Sequence, residues 1–156
     1  PLPKEAPLAY SRRLAREKAQ AGTGEFVLGA DTIVVLDAHL LEKPVDDADA
    51  LRMLRLLQGR THEVITSIAL VAGGTLYQET DVTKVTFRSA DDAFLKAYIA
   101  TGEPHDKAGA YGIQGYGAAL VERVEGDFFG VMGLPLRLVL KLLAEAGWEY
   151  GFSGDS

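Results

Sequence analysis

Residues 62–88 read HEVITSIALVAGGTLYQETDVTKVTFR, two β-rich runs joined by Gly73-Gly74. A two-glycine joint supplies the backbone freedom a tight hairpin demands, so His62 to Ala72 and Leu76 to Arg88 are expected to pair antiparallel. Val82, Val85 and Phe87 bring branched and aromatic side chains that suit a pleated surface. Part of the sheet is therefore antiparallel.

Upstream, Phe26 to Leu36 is another β-rich run, closing on Ile33-Val34-Val35. Pro7 to Ala21 reads as a helix, with Pro7 suited to a first turn and Gly22 to a stop. Tyr10, Leu14 and Lys18 are four apart and share one face of it. Asp46 is placed to cap a second helix running to Leu57, ended by Gly59. Downstream, Ser89 with Asp92 looks like a cap for a helix from about Asp91 to Thr101. A Gly-rich loop follows from Gly102 to Gly117. Ala118 to Val124 reads as a strand, Gly126-Asp127 as a turn and Phe128 to Met132 as another short strand. Pro135 opens an apolar helix carrying Leu136, Leu138, Val139, Leu142 and Leu143, ended by Gly147. Trp148 to Phe152 reads as an edge strand or tail. This alternation, without repeats or linkers, predicts an α/β protein.

The 156 residues suit one domain with a sizeable core. A content of 47% hydrophobic and 24% charged residues excludes disorder, collagen and coiled coil. No apolar run reaches the roughly 18 residues that cross a bilayer. Cysteine is absent, which removes disulfides, thiolate catalysis and thiolate-bound metals and fits a cytoplasmic setting. Sixteen Lys and Arg against 22 Asp and Glu leave a net charge of −6, which disfavours long nucleic acids. A small polyanion is still accommodated where a few lysines and a divalent metal make a local positive pocket.

Three segments can carry chemistry. In Gly29-Ala30-Asp31-Thr32 a carboxylate lies between apolar strand residues. It has to be paired, metal-bound or at a cavity edge, or else it ends an edge strand, and these four residues leave both readings open. Gly29 lets something approach the backbone there. In Glu42-Lys43-Pro44 the proline holds Lys43 extended, yet Lys43 alone, like Lys18 alone, reads as a solvated lysine. The run 102–117, Gly-Glu-Pro-His-Asp-Lys-Ala-Gly-Ala-Tyr-Gly-Ile-Gln-Gly-Tyr-Gly, is the most informative. So glycine-rich a connection is costly to order, and glycines turn backbone N–H groups towards phosphate. Asp106 and Lys107 are an adjacent acid and base. Gln114 both donates and accepts, which suits a nucleobase edge. Tyr111 and Tyr116 are stacking surfaces, or core and rim. No Walker pattern and no Gly-x-Gly-x-x-Gly is present. His39, His62 and His105 show no metal-like spacing and read as incidental.

Together, Arg13-Leu14-Ala15-x-x-Lys18-Ala19, Gly29-Ala30-Asp31-Thr32-Ile33-Val34, Glu42-Lys43-Pro44, Asp106-Lys107-Ala108-Gly109-Ala110-Tyr111-Gly112-Ile113-Gln114-Gly115 and Gly133-Leu134-Pro135-Leu136 resemble the Maf family. The resemblance covers nearly the whole chain in order. It implies a fold like that of inosine triphosphate pyrophosphatases: an elongated mixed sheet, flanking helices and two lobes around a cleft, as a homodimer. It also implies a nucleoside triphosphate pyrophosphatase that uses Mg²⁺ or Mn²⁺ and is linked to nucleotide house-cleaning and cell-division arrest. By resemblance Asp31 is the catalytic acid, described as proton acceptor, and a metal ligand, with Asp106 a candidate second ligand. Lys18, Lys43 and Lys107 match phosphate-neutralising lysines. Thr32 and Gln114 match specificity positions of the subgroup acting on dTTP and UTP.

Two departures stand out. The family begins with a strand and a Ser-x-Arg-Arg loop that binds substrate. The expectation is a single Maf-like domain over residues 1–156 that lacks both, with weak activity on its own. Ser11-Arg12-Arg13 imitates the loop but sits inside the later block, so the role is not transferred to it. Gly130 stands where Asn is common. Two other readings remain: a non-catalytic nucleotide-binding regulator of cell division, and a pyrophosphatase of the same fold for purine or 7-methyl-GTP nucleotides.

Overall fold

The hairpin at Gly73-Gly74 turns on two left-handed residues, with φ of 56° and 81°. It joins β3 (Thr61–Ala72) to β4 (Thr75–Phe87) in unbroken antiparallel register from Thr61↔Thr86 to Ala72↔Thr75. The structure, a computed structural model, describes residues 1–149 and 151–152. β1 (Phe26–Leu36) lies on the other side of β3, with Gly29 opposite Ala69, Asp31 opposite Ser67 and Thr32 opposite Thr66. Short β2 (His39–Leu41) and β5 (Val121–Glu125) complete the order β2-β1-β3-β4-β5.

The α/β class holds, but each described pairing is antiparallel, where a mixed sheet was expected. The tight turns after β1 and β3 fold each strand straight back. The helical stretch between β4 and β5 returns the chain antiparallel as well, and the one between β2 and β3 carries it across β1, so that β2 and β3 both run antiparallel to β1.

Successive side chains of a strand point to opposite faces, so β3 divides two layers. On one face Ala69 meets Ala15 and Ala19 of α1 (Pro7–Ala21). On the other, Ile68 and Leu70 meet Leu138 and Leu142 of α5 (Leu136–Glu145). The same face further along carries the main core, where Val34, Val64 and Phe87 pack with Leu54 and Leu57 of α2 (Asp47–Leu57) and Leu95 of α3 (Asp92–Ile99). Among the described residues no helix is long and apolar enough to cross a membrane.

Local punctuation set most boundaries as expected. Pro7 opens α1, and Asp46 caps α2 by accepting from the Asp49 amide at 2.7 Å. Three expectations need correction. Asp91, not Ser89, caps α3, accepting from the Phe94 amide at 2.9 Å. Residues Tyr116–Leu120 wind as a 3₁₀ turn, so β5 starts at Val121 rather than Ala118. Phe128–Met132 is a short helix, α4, rather than a strand, because Asp127 Oδ1 accepts from the amides of Phe129 and Gly130 and forces the first turn. Arg137 holds that cap by bridging Asp127 to buried Asp81. Of the edge strand or tail expected at Trp148 to Phe152, residues 148, 149, 151 and 152 form no strand, and Tyr150 lies outside the described residues.

His62 is a core residue, 2% exposed, with Nε2 2.7 Å from the Tyr111 hydroxyl and its ring edge-on to Phe87 and Tyr111. Burial pushes its pKa from 6.5 down to about 4. The unfolded chain therefore protonates first as pH falls. His62's contribution is complete above about 6.5 and is lost as pH drops through about 4, a swing on the order of 3 kcal/mol. In urea titrations, wild type is expected to lose stability more steeply over that window than His62→Gln. Parallel curves would refute this.

Candidate active site

β2 pairs only with Val34–Leu36 of β1. Over the described residues, Phe26 to Ile33 thus have no neighbouring strand on that side. A cleft of about 520 Å³ is lined by side chains from both faces of this edge, including Asp31 and Thr32. That volume suits a small-molecule ligand.

Helix α1 and strand β1 build one wall. Gly29 lets the helix lie directly on the strand, since a Cβ there would stand 2.4 Å from Ala15 O and 2.6 Å from Ala19 N. Ser11 pins the same seam through Ser67 Oγ at 2.9 Å. This close seating brings Lys18 Nζ to 3.0 Å from Asp31 Oδ1 and 3.2 Å from the Ala30 carbonyl. Asp31 is nearly buried, 11% exposed, and its Oδ2 is buried without a hydrogen-bond partner. A buried unpaired carboxylate oxygen is costly unless something supplies it with positive charge or a proton.

Loops build the opposite wall. Lys43 follows β2, in a segment tied to α1 by the Tyr10 hydroxyl donating to Glu42 Oε1 at 2.8 Å. That bond, with burial, pushes the Tyr10 phenol up to about 12. The Gly109 amide donates to the Glu42 carbonyl at 3.2 Å and joins this segment to the Gly-rich loop. From that loop Asp106, Lys107 and Gln114 line the cleft. Lys107 Nζ lies 3.3 Å from Asp106 Oδ1 and holds that carboxyl below its ordinary pKa.

All seven sequence-derived residues, Lys18, Asp31, Thr32, Lys43, Asp106, Lys107 and Gln114, thus border one cleft. Tyr111 is buried in the core and also reaches the cleft wall, while Tyr116 is 72% exposed. Ser11 is fully buried, and Arg13 pairs with Glu5 and Glu17. Sequence reasoning missed Glu103. Its carboxylate accepts from the Tyr98 hydroxyl at 2.7 Å and the amides of Tyr116 at 2.8 Å and Gly117 at 3.0 Å. Burial works to raise its pKa, but those donors outweigh it and lower it. Only the position of Glu103 at the head of the Gly-rich run hinted at this.

Among the described residues no three His, Asp or Glu side chains gather into a metal cage. A hard cation that keeps water and phosphate oxygens in its shell needs only one or two protein carboxylates, however. The orphaned Asp31 Oδ2 fits that need.

Residues 1–146 match the family described as Maf-like protein. Three relatives carry the name dTTP/UTP pyrophosphatase. That of Koribacter versatilis is 51% identical over 92% of this chain and 76% of its own. That of Chromobacterium violaceum is 49% identical over 94% and 79%. That of Escherichia coli strain 536 is 49% identical over 91% and 75%.

Proposed function

The chain belongs to the Maf-like protein family, and from that membership we propose that it is a nucleoside triphosphate pyrophosphatase converting dTTP and UTP, with water, to the monophosphate and pyrophosphate. One observation carries the reading: a nearly buried acid with an unpaired oxygen shares a cleft with three lysines and two base-reading side chains. The names of the relatives support the substrate class.

The chemistry follows from those groups. Water attacks the α-phosphorus, and the bond from that phosphorus to the α–β bridging oxygen breaks. Pyrophosphate leaves with the oxygen. Asp31 Oδ2, without a competing hydrogen bond, takes the water's proton. Lys18 fixes the carboxylate through Oδ1, so its other oxygen points one way. Lys43 and Lys107 neutralise the triphosphate, where positioning and charge do most of the catalytic work. A divalent cation, Mg²⁺ or Mn²⁺, would be held by Asp31 and at the rim by Asp106, and would supply further neutralisation of phosphate charge. Thr32 and Gln114 read the base.

The net charge of −6 supports free nucleotides over long nucleic acid, because only the cleft need be positive. We further propose a cytoplasmic homodimer. Exposed Phe128, Phe129, Leu136 and Leu140 on α4 and α5 give a second copy apolar surface to cover.

Incubating the full-length protein with a nucleotide panel and Mg²⁺ is expected to release pyrophosphate from dTTP and UTP ahead of CTP, purine and 7-methyl-GTP nucleotides. A purine preference would overturn the base assignment. Binding without turnover would mark a nucleotide-binding regulator instead.

A further inference from the structure

Thr32 and Thr66 face each other across the β1–β3 pairing, their hydroxyl oxygens 2.8 Å apart. Thr66 Oγ1 also lies 2.6 Å from the carbonyl oxygen of Gly130. Two oxygens so close need a proton between them, and a carbonyl has none to give. The single proton of Thr66 therefore goes to Gly130. Thr66 can then only accept from Thr32, and Thr32 has to donate. The protons run one way, from Thr32 to Thr66 to Gly130. Thr66 is fully buried, so no solvent competes for its proton. Gly130 is itself held in α4 by its amide donating to Asp127 Oδ1 at 3.2 Å, with Arg137 on the other oxygen of that carboxylate.

Thr32 thus lines the cleft with its proton turned away, offering a ligand only lone pairs. Resting on the pyrimidine nucleotide reading above, we propose that Thr66 is a positioning residue for base recognition: it fixes Thr32 Oγ1 as an acceptor and so selects bases that carry a ring N–H. Uracil and thymine present N3–H between two carbonyls. Cytosine presents a bare N3 lone pair at that position, which an acceptor repels. Gln114, whose amide has no hydrogen-bond partner among the described residues, completes the edge by donating to a base carbonyl. Without Thr66 the Thr32 hydroxyl turns freely and donates to cytosine as readily as it accepts from uracil.

The test is discrimination rather than rate. In the full-length protein with Mg²⁺, Thr66→Val is expected to reduce the UTP-to-CTP ratio of kcat/KM by about tenfold or more. Thr66→Ser, which keeps the hydroxyl, is expected to retain the wild-type ratio. Thr66→Ala carries the same test if Val does not fold. A merely structural role would lower both nucleotides together and leave the ratio alone. Calorimetric binding of the α,β-imido analogues of UTP and CTP reads the same ratio without turnover. A protein that binds the UTP analogue selectively yet releases no pyrophosphate would sink the pyrophosphatase reading and uphold this one. The proposal fails if the wild type binds both analogues alike. It fails too if Thr66→Val keeps the ratio within about twofold, or if Thr66→Ser loses it as Val does.

Discussion

Asp31→Asn is expected to cut pyrophosphate release from dTTP by about 10²–10⁴-fold while leaving the protein folded. The substitution keeps the shape of the side chain and removes its charge. An amide cannot take a proton from water and is a poorer partner for a cation than a carboxylate oxygen. Oδ2 is the atom at stake, since it is buried and unpaired whereas Oδ1 already serves Lys18. The fold should not suffer much. The Lys18 side chain is 56% exposed, and ion pairs that open to solvent contribute about 1 kcal/mol or less. Steady-state assays with matched urea titrations separate the two effects. Activity within tenfold of wild type would remove Asp31 from the chemistry.

The second large effect belongs to Gly29, and it is mechanical. Gly29→Ala is expected to destabilise the protein by about 3 kcal/mol or more, at the upper end of overpacking changes. A methyl group there would lie 2.4 Å from one backbone atom of α1 and 2.6 Å from another. Helix backbone cannot swing aside as a flexible side chain can, so the whole of α1 has to lift from β1. The lift would separate Ala15 and Ala19 from Ala69 and draw Lys18 away from Asp31. The urea midpoint should fall, and pyrophosphate release should fall with it even where the variant is still folded. A loss below about 1 kcal/mol would mean that helix and strand do not rest on each other there.

Much of this architecture was legible because local chemistry punctuates it. The glycine pair at 73–74, Pro7 and Asp46 act within a few residues, so hairpin and helix starts could be read directly. Phe128–Met132 misled for a physical reason. Five residues, mostly apolar, cannot display a helical period, and the decisive feature is the Asp127 carboxylate closing on two amides. Glu103 was hidden in another way. In sequence it is an acid in a loop, and only folding surrounds it with Tyr98, Tyr116 and Gly117. Asp81 likewise meets Arg137 from the far end of the chain. Gly29 was legible as a place of close approach, although nothing local said that α1 makes it. The seven candidate residues were legible through family resemblance more than through spacing. Lys18 and Lys43, taken alone, look like ordinary surface lysines.

The three-donor grip of Glu103 bears on affinity. A sixteen-residue run this rich in glycine has many conformations to lose, and a ligand that had to organise it would bind more weakly by that amount. Here one carboxylate, linked through the Tyr98 hydroxyl to the Gly112 amide as well, gathers both ends of the run during folding. The entropy is given up before any nucleotide arrives. On the proposed function the triphosphate would meet a preorganised wall, and its binding energy would stay available for the step at phosphorus.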